Sequence, residues 1–192
     1  MRTKDFDEQE ILQKAVRLFW QKGYNGTSMQ DLIDGLGIGR SSIYHAFGDK
    51  HTLYVKALEL YQEEGTKRLV DAINAGPGIQ DSIRELMKMG TADYVSCGIP
   101  QSCFKVNAGV ELAADDEEIL KLLHDDDVII ENALYTVIKQ QQDSGKISAA
   151  KDPRALARFI CNTIAGIRVY ARTKKDEVFF DDILNTALAV FD

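Results

Sequence analysis

Arg40, Ser41, Ser42 and His45 lie within six consecutive residues and offer hydrogen-bonding chemistry with no catalytic partner set beside them. A guanidinium donates two parallel bonds to a guanine edge, and hydroxyl and imidazole groups bond to bases or to phosphate oxygens. Tyr44 and Lys50 flank the group with a phenol and an ammonium, both suited to phosphate. Thr27 adds a hydroxyl beside the free backbone N–H groups of a helix start, a further phosphate contact. The competing reading of such a stretch is a polar helix face turned to solvent, and the side chains alone leave the two readings even.

To read DNA, these residues need a short rigid helix held on a second one, and the surrounding sequence spells out that unit. Asp7 and Glu10 have capping-box spacing, and Phe6 can staple onto Ile11. Ile11, Leu12, Ala15, Val16 and Phe19 then fall on one helical face until Gly23 stops the helix. Thr27 and Gln30 repeat the capping spacing before a second short helix, whose apolar face is Met29, Leu32, Ile33 and Leu36. Gly35 and Gly37 bracket a tight turn into a helix over 40–47, with Ile43 and Phe47 facing inward. Gly48 ends it, and Asp49 starts a longer helix through Leu53, Ala57, Leu60 and Tyr61 to Ala75, roughly 35 Å at ~1.5 Å per residue.

The stretch Ala75-Gly76-Pro77-Gly78 is the clearest break in the chain. Beyond it the periodicity predicts helices near 79–95, 104–113, 116–143, 153–173 and 177–191, the fourth opened by Asp152-Pro153. No alternating strand pattern persists between turn signals. The expected fold is all-α with about nine helices, divided into a helix-turn-helix domain over 1–49 and a helical body over 50–192.

Composition sets further bounds. The 192 residues are 45% hydrophobic and 28% charged, an ordinary globular balance. The net charge of −7 is unevenly spread: residues 1–56 hold eight Lys/Arg against seven Asp/Glu, and the rest hold fifteen against twenty-three. A near-neutral head on an acidic body permits local contact with nucleic acid while the body repels phosphate. No apolar run approaches the ~20 residues that span a bilayer, so no membrane association and a cytoplasmic location are expected. Three cysteines, Cys97, Cys103 and Cys161, fit no zinc spacing. The acidic runs 115–118 and 125–127 read as helix-start charge and a solvated face, so neither metal nor cofactor is expected. No pair of His residues lies at ligand spacing and no nucleophile–base order stands out, so the chain is not expected to be an enzyme.

From Ile11 to Leu58 the sequence runs I-L-x-x-A-x-x-L-F-x-x-K-G-Y-x-G-T-S-M-x-D-L and then G-L-G-I-G-R-S-S-I-Y-H-A-F-G-D-K-x-x-L. This pattern resembles the TetR/AcrR family of bacterial transcriptional regulators. The resemblance implies a three-helix DNA-binding domain, a helical effector domain, and a homodimer that binds a palindromic double-stranded DNA operator, most often as a repressor released by a small-molecule effector. By position, Thr27, Tyr44 and Lys50 are implied as phosphate contacts, and Arg40, Ser41, Ser42 and His45 as the base-reading set. One departure is Ala46, where the family often carries His, so any phosphate contact from that side chain is missing.

The body extends the resemblance. Residues 97–113 are similar to a G-C-x-x-x-N-x-x-x-E-L-A stretch in a subgroup of NemR-, AcuR- and ComR-type repressors, with Ser102 in place of the usual Gly and Cys103 on the Cys position. The similarity continues in A-G-I-R-V-Y-A-R, residues 165–172. It implies a sensor of a small reactive or carboxylated molecule, with Cys103 as its thiol; thiol chemistry would allow Cys97 to resolve an oxidised Cys103 if the loop brings the two together. A buried packing role for Cys103 is equally open. By residue type, Tyr94, Phe104, Asn107, Glu111 and Arg168 join Cys103 as effector-binding candidates. Leu156, Phe159, Ile160, Ile164, Ile167 and Tyr170, followed by Phe179, Ile183, Leu184, Leu188 and Phe191, give more apolar stripe than one small bundle needs. They suit either intramolecular core or pairing between subunits.

Overall fold

The computed structural model describes residues 6–96, 103–171 and 176–191, with side chains omitted over 91–96. Cys97 and the Tyr94 side chain therefore lie outside the described residues. Nine helices and no strand occur among them: α1 (Glu8–Lys22), α2 (Met29–Leu36), α3 (Arg40–Phe47), α4 (Lys50–Ala75), α5 (Ile79–Ser96), α6 (Phe104–Leu112), α7 (Glu117–Asp143), α8 (Pro153–Ala171) and α9 (Glu177–Ala189). The all-α expectation is borne out, and most helix ends fall within two residues of where the capping signals put them.

The helices form two compact units, each with its own core. One comprises residues 1–64 and 103–123, the other 65–102 and 124–192. The first core gathers Ile11, Ala15 and Phe19 of α1, Leu32 and Leu36 of α2, Ile43 and Phe47 of α3, and Leu53, Tyr54, Ala57 and Leu58 of α4. Phe104, Ala108, Ile119 and Leu123 complete it. The compact unit is thus larger than the helix-turn-helix segment 1–49, because α1 packs on α6 as well as on α2. Edge-to-face aromatic pairs link its helices: Phe19–Tyr54 at 4.9 Å, Tyr54–Phe104 at 5.3 Å, Tyr61–Phe104 at 5.5 Å and Trp20–Tyr61 at 5.3 Å. Each such pair contributes about 0.5–1.5 kcal/mol beyond its buried area.

The second core is built where α8 packs on α5 and α9 packs on both. Ile79, Ile83 and Leu86 meet Leu134, Ile138, Leu156, Ile160, Ile164, Ile167 and Leu188 there. These residues divide the long apolar stripe of the last two helices. Leu156, Ile160, Ile164, Ile167, Leu188 and Phe191 are intramolecular core, while Phe159, Val169, Tyr170 and Val178 stay between 41% and 64% exposed.

Caps fix the helix starts. Asp7 accepts from Gln9 N–H at 2.9 Å, and Asp49 accepts from Thr52 N–H at 2.7 Å at the head of α4. The expected Thr27–Gln30 box on α2 is corrected by one residue: Ser28 is the N-cap and Asp31 its partner. Asp31 N–H donates to Ser28 Oγ at 3.1 Å, and Ser28 N–H donates to Asp31 Oδ2 at 2.8 Å. Thr27 cannot serve because its hydroxyl turns inward and donates to the Gly23 carbonyl at 2.6 Å.

Candidate nucleic-acid interface

The recognition candidates are presented by α3, which two buried residues anchor. Ile43 and Phe47, one turn apart, are buried against α1, α2 and α4. That fixes the rotation of the helix and sends Arg40, Ser41, Tyr44 and His45 to solvent, with Ser42 half-buried at the edge. The turn into α3 needs Gly37, whose φ of +72° lies in the left-handed region while its N–H donates to the Ile33 carbonyl. The N-cap of α3 is Gly39, which supplies no side-chain bond. The N-cap residue therefore does not compete with an acceptor oxygen for the first N–H groups of α3.

Arg40 lies along its own helix, its guanidinium carbon 5.7 Å from the centroid of the Tyr44 ring. Lys50, at the first position of α4, places its ammonium 4.3 Å from the Tyr24 ring centroid. Partial burial pushes the Lys50 amine below its ordinary range, opposed by the negative charges of Glu111 and Asp31. Ala46 is half-buried and packs on the core, so it adds nothing polar to the surface. Thr27, expected to meet phosphate, is fully buried with its hydroxyl engaged by Gly23. It shapes the turn, and Ser28 is the exposed hydroxyl at that point.

Two contacts hold this surface from outside the three short helices. The Glu111 carboxylate, expected beside an effector, instead accepts Tyr24 N–H at 2.9 Å and Asn25 N–H at 2.7 Å in the α1–α2 turn. His51 Nε2 lies 2.7 Å from Asp116 Oδ2, while Asp116 Oδ1 caps α7 through Ile119 N–H at 3.1 Å. Burial would raise the Asp116 carboxyl, but the Ile119 N–H and His51 outweigh it and hold the group below the usual carboxylate range. Sequence reasoning missed both contacts because nothing local pairs a residue with a partner 65 or 87 positions away.

The remaining effector candidates divide between the units. Cys103 caps α6 with its thiol buried at 3% exposure and accepts a bond from the Tyr61 hydroxyl at 3.5 Å, surroundings that suit a packing residue. Phe104 is fully buried among Tyr54 and Tyr61, and Asn107 is half-buried on α6. Tyr94 belongs to α5, and half-buried Arg168 lies in the last turn of α8. Among the described residues no cluster of His, Cys, Asp and Glu could hold a metal ion, and no helix is long and apolar enough to cross a membrane.

A short helix with an outward polar face, braced by three others, is the geometry of a helix-turn-helix, and comparison with known proteins agrees. The profile for bacterial regulatory proteins of the tetR family matches residues 11–57, and that for the tetracyclin repressor-like C-terminal domain matches residues 81–187. The chain belongs to the TetR family. It is a bacterial transcriptional regulator by that membership. Among its relatives, the uncharacterized HTH-type transcriptional regulator YezE of Bacillus subtilis is 27% identical over 192 residues, covering 100% of this chain and 99% of that protein. The HTH-type transcriptional repressor ComR of Escherichia coli is 28% identical over 172 residues, covering 89% and 82% respectively. A cysteine-substituted TetR-family regulator CifR, solved with 26-base-pair double-strand operator DNA, superposes on this TetR-family chain with a TM-score of 0.87 at 25% identity and full coverage of both chains.

Proposed function

We propose that this TetR-family protein is a repressor that binds a palindromic operator as a homodimer and leaves it when a small-molecule effector binds. The observation that carries the reading is the outward set on α3, Arg40, Ser41, Ser42 and His45, with its apolar side locked by Ile43 and Phe47. Those four residues read base edges in the major groove, the usual task of the N-terminal part of a recognition helix. Tyr44 and Lys50 hold the flanking phosphates. The CifR structure on operator DNA and the repressor name of ComR support this direction.

Dimerisation is assigned to α8 and α9. Phe159, Tyr170 and Val178 are exposed there, and Phe159, Phe179, Ile183 and Ala187 line one open cleft on this face. Apolar side chains of this size left in water are covered by a second copy in an isologous pair. The effector is unidentified. Cys103, Phe104, Asn107, Tyr94 and Arg168 are its candidate contacts, each to be substituted singly.

Selection of genomic fragments by the purified protein tests the reading. An operator bound by two chains, with affinity falling steeply as salt rises, is the expected result. Recovery of no preferred fragment would overturn it. For the effector side, an electrophile that releases wild-type protein and the Cys103→Ser variant from DNA alike would remove Cys103 from sensing.

A further inference from the structure

Glu111 lies outside the helix-turn-helix, yet both of its carboxylate oxygens are directed at one turn within it, Oε2 receiving Tyr24 N–H and Oε1 receiving Asn25 N–H. This is a two-point clamp on the backbone between α1 and α2. Gly23 makes room for it: its φ is +75°, and a Cβ there would stand 2.8 Å from Glu111 Oε2. The clamped residue also supports a cation. The Tyr24 ring carries the Lys50 ammonium at 4.3 Å and is itself wedged edge-on between Tyr54, at 5.1 Å, and His51, at 6.2 Å. A cation already seated on a fixed ring loses less freedom when it meets a phosphate than one on a loose side chain.

We propose that Glu111 is a positioning residue for DNA binding, which fixes Tyr24 and through it the ammonium of Lys50. The proposal rests on the DNA-binding reading above and adds to it a residue from α6 that never touches DNA. A purely structural glutamate would lower the melting temperature, but it would not act through Lys50 in particular. Coupling to Lys50 is therefore the property to measure.

The test is a double-mutant cycle on a fluorescent duplex carrying the sequence that wild-type protein selects from a randomised library. Anisotropy titrations compare wild type, Glu111→Ala, Lys50→Ala, the double variant, and Glu111→Ala combined with Arg40→Ala. Glu111→Ala is expected to weaken binding about tenfold, and the double variant with Lys50→Ala to lose little beyond either single change, because both remove one shared contact. The losses from Glu111→Ala and Arg40→Ala should multiply. Unchanged affinity in Glu111→Ala, or losses that multiply with Lys50→Ala, would overturn the proposal. If the alanine variant does not fold, Glu111→Gln, which keeps the side-chain length and one acceptor oxygen, enters the same cycle. Wild-type protein that selects no sequence would overturn the DNA-binding reading and the clamp with it, an outcome distinct from a failed cycle.

Discussion

At the scale of single residues, charge is what this surface manages. Asp31, Asp49 and Asp116 each hold their carboxyls below the ordinary range: Asp31 chiefly through the Lys22 ammonium and then Ser28, Asp49 through the Thr52 N–H, and Asp116 through the Ile119 N–H and His51 against the pull of burial. A folded carboxyl that titrates lower than its unfolded counterpart stabilises the fold above the unfolded value of ~3.9, and that contribution fades as pH falls through the folded value. The melting temperature should therefore begin to fall as the pH is lowered past about 4. Asp116→Asn should flatten part of that acid limb. Lys50→Ala belongs to the same scale. It should weaken binding to all sequences alike and reduce the slope of log affinity against log salt by about 1, seen in titrations at several salt concentrations.

At the scale of the elements, capping decides. Ser28→Ala removes one side of a reciprocal capping box and should cost about 1 kcal/mol of stability in denaturant titration. Gly37→Ala places a side chain at φ +72° and should cost about 1 kcal/mol or more for the same measurement, with the α2–α3 turn as the point of failure. These signals are local, which is why the helices were legible in the sequence: Asp7, Gly23, Asp49 and the Asp152-Pro153 pair each announce an end without reference to anything distant. Where two adjacent hydroxyls both suit a cap, local reading fails. Thr27 and Ser28 differ only in that Thr27 is buried, a fact set by tertiary packing. The same holds for Glu111, whose residue type suits a pocket and whose actual partners lie across the fold.

At the scale of the molecule, the sequence held the TetR fold in its motif and periodicity but could not divide the apolar stripe of α8 and α9. Leu156, Ile160, Ile164, Ile167, Leu188 and Phe191 close the second core, Ile183 and Leu184 pack partly against it, and Phe159 and Tyr170 stay exposed. The division depends on which face meets α5, and no helical periodicity encodes that choice. Phe159→Asp should leave each chain folded while shifting the protein from dimer to monomer in light scattering, and operator affinity should fall because two half-sites are no longer bound together.

Whether α3 reads base edges is decided by the sequence preference of Arg40→Ala beside that of the wild type, each selected from the same randomised duplex library. Wild type should select a palindrome, and the variant should lose a guanine preference at one position in each half-site, worth about 1–3 kcal/mol there, with the other positions kept. Identical preferences from the two proteins would contradict base reading by α3.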